Sequence, residues 1–125
     1  MGNPVVHFEI VSPDATRLQQ FYMAVFGWTI DSNNQFNYGM VDTGSTRGIP
    51  GGISAPLPGG GTGSHFAIYV EVPNVEETLK EAVACGGKIA MDKVTVPPNG
   101  PVLAQFTDPA GNRIGLVEAG TFGRP

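Results

Sequence analysis

From Val5 to Val11 the side chains alternate: Val6, Phe8 and Ile10 take one face of an extended strand, and His7, Glu9 and Val11 take the other. Ser12-Pro13-Asp14 then reads as a turn that opens a helix, with Ser12 or Asp14 as its N-cap. Here the period changes. Leu18, Phe21, Tyr22, Val25 and Phe26 recur at helical spacing as one apolar stripe, which predicts a core-facing helix with Phe21, Tyr22 and Phe26 inside. Gly27 is a plausible C-cap. Short strands are predicted over Trp28 to Ile30, Phe36 to Val41 and Gly51 to Ala55.

Residues 56–64, PLPGGGTGS, carry no periodicity and read as a flexible linker. After it the pattern restarts. His65 to Val72 predicts a strand with Phe66, Ile68, Val70 and Val72 on one face and His65, Ala67, Tyr69 and Glu71 on the other. Pro73-Asn74 is a turn with a cap, Val75, Thr78, Leu79, Ala82 and Val83 form a second helical stripe, and Gly86-Gly87 ends it. Strands follow over Lys88 to Val94, Val102 to Thr107 and Arg113 to Glu118, the last two joined by a turn at Asp108-Pro109-Ala110-Gly111-Asn112. Shifting the first half forward by about sixty residues places Pro13 on Pro73, Asp14 on Asn74 and Gly27 on Gly87, an internal repeat of pattern more than of identity. The organisation expected is α+β, one domain over 1–125, with a βαβββ module at about 4–55, the linker at 56–64 and a second module at about 65–119.

Composition narrows the function classes. A chain of 125 residues with 41% hydrophobic content can bury a core without crosslinks. Cys85 is the single cysteine, so no internal disulfide forms, which suits a reducing cytoplasm; it is expected to be structural. The start Met1-Gly2-Asn3-Pro4 lacks the basic and apolar regions of a signal peptide, and no apolar run is long enough to span a bilayer. With net charge −4 and seven scattered basic residues, the chain offers phosphates no footprint, so neither nucleic acid nor membrane is an expected partner. The glycines at 59, 60 and 61 lack the lysine and helix of a phosphate loop.

The segment VVHFEIVSPDATRLQQFYMAVFGWTI resembles the opening of a module of the vicinal-oxygen-chelate superfamily (glyoxalase, bleomycin resistance protein, ring-cleaving dioxygenase), and FTDPAGNRIGLVE resembles the closing hairpin of its second module. The resemblance runs from about Val5 to Glu118. It implies two modules curled into an open, U-shaped barrel, helices outside and a ligand cleft within, in a protein that commonly dimerises; the linker would permit module exchange between two chains. On that architecture the apolar strand faces lie beneath the helices, and the faces with His7, Glu9, Tyr69 and Glu71 line the cleft.

The resemblance also implies four metal-ligand positions on the first and last strands of each module. By register they fall on His7, Gly52, Ala67 and Gly115. Glycine and alanine have no donor atom, so only His7 survives. His65 shares the face of Ala67 but sits at the strand's edge, and Glu118 points opposite to position 115 on a regular strand. No metal or other cofactor is therefore expected.

His7 is the candidate proton shuttle or ligand hydrogen-bonder, because imidazole titrates nearest neutrality. Glu9 and Tyr69 are candidates to assist it, and Trp28 and Tyr38 to contact a ligand. Gly52 and Gly115 are read as vacancies that make room for a bulky ligand. The function expected is binding of a small organic molecule without metal. The alternatives are a metal-free proton-transfer isomerase or lyase, with His7 as base, and the superfamily's metal-dependent lyase or dioxygenase, with His7 and His65 as ligands.

Overall fold

The computed structural model describes residues 2–34, 36–56 and 63–121; the linker expected at 56–64 lies, apart from its ends, outside the described residues. The chain divides into two compact units, one formed by His7–Ala67 and the other by the residues up to Val6 together with those from Ile68 onward.

In the first unit, β1 (Val5–Val11) is followed by α1 (Ala15–Phe26), β2 (Thr29–Asp31), β3 (Gly39–Asp42) and β4 (Gly51–Ser54). The strand order is β2-β3-β4-β1, with β1 and β4 parallel and the other pairs antiparallel. The second unit repeats the plan with β5 (His65–Val72), α2 (Val75–Ala84), β6 (Lys88–Thr95), β7 (Val102–Thr107) and β8 (Arg113–Glu118). Its order is β5-β8-β7-β6, again with the first and last strands parallel. The class is α+β, as the two predicted βαβββ patterns require.

Local chemistry sets the ends of these elements. The Asp14 carboxylate accepts the Arg17 N–H at 3.2 Å, which makes Asp14, of the two expected candidates, the N-cap of α1, and the Ser12 hydroxyl accepts the Asp14 N–H at 3.2 Å in the turn before it. Gly27, at φ 68°, closes that helix in the left-handed conformation. The Asn74 side chain accepts the Glu77 N–H at 2.9 Å, and Glu118 from β8 accepts the Val75 N–H at 3.1 Å. The start of α2 therefore holds Glu76, Glu77 and a carboxylate from the closing strand, all favourable at a helix N-terminus. Strand β3 begins at Gly39, three residues later than expected. The Asn34 side chain accepts from Phe36 N and Tyr38 N and donates to Tyr38 O, and Asn37 takes φ 52°, so this stretch is a knotted turn instead of a strand.

The core of the second unit is Val72, Val75, Leu79, Ala104 and Leu116, with Val70, Val102 and Phe106 packed against it. In the first unit Val11, Ala15, Val41 and Ile53 are buried. Two expectations about burial are corrected. Phe21 and Phe26 are 54% and 58% exposed, and Tyr22 is half-buried. The inward face of α1 is instead Ala15, Leu18, Gln19 and Tyr22, because the Gln19 amide donates to the Ile53 carbonyl at 2.8 Å and ties the helix to β4. The strand faces are also reversed at His7 and Glu9 of β1 and from Phe66 to Tyr69 of β5, whereas Val70 and Val72 do pack in the core. Phe66 is 79% exposed and Ile68 41%, whereas His7, Glu9 and Tyr69 are only 4%, 3% and 2% exposed. His7 Nε2, Glu9 Oε2 and the Tyr69 hydroxyl tolerate burial because each is hydrogen-bonded. Cys85, expected in a structural role, is an exposed free thiol at the end of α2.

Candidate functional site

Alternation along β1 sends His7 and Glu9 to the same side, and β4 lies alongside with Gly52 opposite Glu9. Tyr38 enters from the turn before β3. Its hydroxyl donates to Glu9 Oε2 at 3.0 Å and is 2.8 Å from His7 Nε2. A phenol has one proton. With that proton given to Glu9, the His7 Nε2 must carry a proton and donate to the phenol oxygen, which leaves the lone pair of a neutral imidazole on Nδ1. The three residues form an ordered series, imidazole to phenol to carboxylate.

To reach β1 from the β3 side, the Tyr38 ring crosses the central strand β4, and it does so over Gly52. A Cβ built on Gly52 would run into the Tyr38 ring and hydroxyl. The second unit uses the same device. Gly115 on β8 lies between Tyr69 on β5 and Gln105 on β7 in register. The Tyr69 ring passes over it, 2.5 Å from where a Cβ would stand, and the Tyr69 hydroxyl meets Gln105 Nε2 at 2.8 Å. Gln105 Oε1 in turn accepts from Arg113 Nη1 at 2.7 Å. The room beside both glycines, read from the sequence as space for a bulky ligand, holds tyrosines of the chain itself in this structure.

His7, Glu9, Tyr38 and Gly52 are thus brought together in one unit, and Tyr69 and Gly115 in the other. Trp28 is placed elsewhere. Its ring packs 5.5 Å from Phe8, 5.4 Å from Tyr22 and 5.1 Å from Phe26, and Phe8 lies on the face of β1 opposite His7. Gln105 and Arg113 escaped sequence reasoning. A lone Gln in a strand carries no signal until its register beside a glycine is known.

The geometry bears on the metal implied by the family resemblance. Of the four family positions, Gly52 and Gly115 lack donor atoms, and the volume a ligating side chain would need there is filled by phenol rings that are fastened by hydrogen bonds. Ala67 is buried and has no donor. His65 is half-buried at the first residue of β5. Among the described residues, no group of three or more His, Cys, Asp or Glu is arranged to hold a metal ion. These side chains do not fit the superfamily's metal centre.

The model of the Glyoxalase/Bleomycin resistance protein/Dioxygenase superfamily matches residues 5–116, and the chain belongs to that superfamily. A curated relative from Mycobacterium tuberculosis (strain CDC 1551 / Oshkosh), named "Putative glyoxylase CFP32", is 28% identical over 115 residues, which is 89% of this chain and 44% of that protein. The chain therefore spans less than half the length of the relatives it matches. Among solved structures, hypothetical protein BH1468 from Bacillus halodurans C-125 is similar with TM-score 0.67 and 14% identity, covering 100% of both chains. Methylmalonyl-CoA epimerase from Mycobacterium tuberculosis is similar with TM-score 0.62 and 13% identity, covering 91% of this chain and 86% of that one. These likenesses show the fold. No described helix is long and apolar enough to cross a membrane.

Proposed function

We propose that this member of the superfamily binds a small organic molecule without the usual metal ion, at the face that carries His7, Glu9 and Tyr38. The observation that carries the reading is the Tyr38 ring over Gly52, tied to both His7 and Glu9. Where metal-using relatives place a ligand side chain, this chain places a hydrogen-bonding phenol. Imidazole, phenol and carboxylate side by side recognise a polar group of a ligand by donating and accepting hydrogen bonds. We further propose a cytoplasmic protein acting as a homodimer, with no nucleic-acid or membrane partner.

The ordered series also supports a second reading, a metal-free proton-transfer enzyme. His7 would take a substrate proton at Nδ1 as general base, while its Nε2–H bond to Tyr38, backed by the Glu9 carboxylate, stabilises the imidazolium that forms.

The first test is elemental analysis of dialysed, untagged protein, followed by a thermal-shift screen of small organic compounds. The proposal expects only trace transition metal and at least one compound that raises Tm in the metal-free protein. A full equivalent of retained metal, or a screen without a stabilising compound, overturns it. Should an activity be found, an unchanged rate in His7→Ala removes His7 from the mechanism.

A further inference from the structure

In the second unit a cavity of about 280 Å³ opens between α2 and the turn that joins β7 to β8. That is just under the roughly 300 Å³ at which sites for drug-sized ligands begin, so it suits a body of one ring. Ala82, Gly87, Phe106 and Pro109 give it apolar walls. Its charges are all of one sign. Glu81 lines it from the last turn of α2 and Asp108 from the facing turn, and none of the described residues that line it is basic. The Asn112 side-chain amide, with the N–H groups of Asn112 and Ala110, holds the Asp108 carboxyl below its ordinary 3.8, so it is an anion at neutral pH. Lys88 pairs with Thr107 and Ile89 with Phe106, so alternation turns Lys88 to the sheet face away from the Phe106 ring. The helix adds to the same sign. A helix C-terminus carries partial negative charge and is favoured by a nearby cation, but the last turn of α2 holds no basic residue and places Glu81 there instead. Cys85 Sγ donates to Glu81 Oε1 across 3.9 Å, a weak neutral donor that does not offset the charge.

We infer that this cavity is a second binding site, for a small organic cation whose ammonium group pairs with Glu81 and Asp108 at the C-terminal end of α2 and whose apolar body lies against Phe106 and Pro109. Exposed ion pairs are weak by themselves, so the apolar walls supply the rest of the attraction and the carboxylates the choice of charge. None of His7, Glu9 and Tyr38 lines the cavity, so the site is independent of the function proposed above.

The test uses benzylamine as the probe and benzyl alcohol, at matched ionic strength, as the neutral control. Cys85 is the single cysteine and lines the cavity, so protein labelled with 15N-cysteine gives one backbone amide resonance that reports on the site. At neutral pH benzylamine is expected to move it saturably and to bind about tenfold more tightly than benzyl alcohol, the combined effect of two carboxylates and the helix end. In Glu81→Gln that preference is expected to fall about threefold; Glu81 is exposed, so the variant keeps its fold. Ala82→Leu fills the cavity with a good helix former and is expected to abolish the response to both compounds. Should Ala82→Leu not fold, the Glu81→Gln comparison decides alone. Benzylamine without a saturable shift, benzyl alcohol bound as tightly, an unchanged preference in Glu81→Gln, or a full response in folded Ala82→Leu overturns the inference. Any of these results leaves the reading at His7, Glu9 and Tyr38 as it stands.

Discussion

The ring of Tyr38 lies over Gly52, in the space a side chain on Gly52 would occupy, and its hydroxyl is held there by His7 and Glu9. A methyl group at position 52 forces the ring away. Overpacking and the loss of hydrogen bonds by buried polar groups together cost about 2–5 kcal/mol. Gly52→Ala should therefore lower stability by that amount in urea unfolding. Tyr38→Ala removes the obstacle, so the double variant should be more stable than the sum of the single losses implies. An additive cycle would mean that ring and glycine are independent.

At the start of α2 two side chains from different elements serve neighbouring backbone donors: Asn74 takes the Glu77 N–H and Glu118 takes the Val75 N–H. Asn74→Ala and Glu118→Ala should each cost about 1 kcal/mol. Glu118→Gln keeps an acceptor and loses only the charge beside the helix N-terminus, so it should cost about 0.3–1 kcal/mol. Chemical denaturation of the three variants checks the ranking. A Glu118→Ala loss near zero would show that the contact from β8 adds nothing to the Asn74 cap.

Much of the architecture was legible because it is written in local chemistry. The change from period two at Val5–Val11 to helical spacing after Asp14, and the same change at Asn74, marked both modules, and Gly27 marked a helix end. Burial was less legible. Alternation tells which residues share a face but not which face is covered. The polar faces bearing His7 and Tyr69 are buried because partners distant in sequence, Tyr38 and Gln105, satisfy them. Nothing local announces that Gln19 will bond the Ile53 carbonyl and turn α1 so that Phe21 and Phe26 face outward. Candidate site residues His7, Glu9, Tyr38 and Gly52 could be named singly, but their assembly depends on the register of β1 with β4 and on the turn that delivers Tyr38.

That outward rotation of α1 makes a contrast with α2. Phe21 and Phe26 are more than half exposed, whereas Val75 and Leu79 are 0% and 4% exposed within the core of the second unit. Phe21→Ser and Phe26→Ser are expected to change stability by less than about 1 kcal/mol each, and Leu79→Ala to cost about 2–5 kcal/mol. Urea unfolding of the purified variants measures both. A large loss at Phe21 or Phe26 would place those rings in an interface or core that the isolated chain does not show.

The turn between β7 and β8 gives a prediction in pH. The Asn112 side-chain amide donates to Asp108 Oδ2 at 2.9 Å, and the backbone N–H groups of Asn112 and Ala110 donate to Oδ1 at 2.9 Å. These donors, the Asn112 amide foremost, favour the carboxylate and hold Asp108 below its ordinary 3.8. A carboxyl whose folded value is depressed stabilises the fold above its unfolded value, and that contribution fades as pH falls from 3.8 toward the folded value. Wild-type protein should accordingly exceed Asp108→Asn in Tm at neutral pH, with the gap closing only below about 3.8 as the carboxylate is protonated. Other carboxylates titrate in the same range, so the gap between the two proteins is the quantity to follow. A 13C titration of the Asp108 carboxyl gives the folded value directly. A midpoint at or above 3.8 would show that the Asn112 amide does not hold the charge in solution, and the gap in Tm should then be absent at every pH.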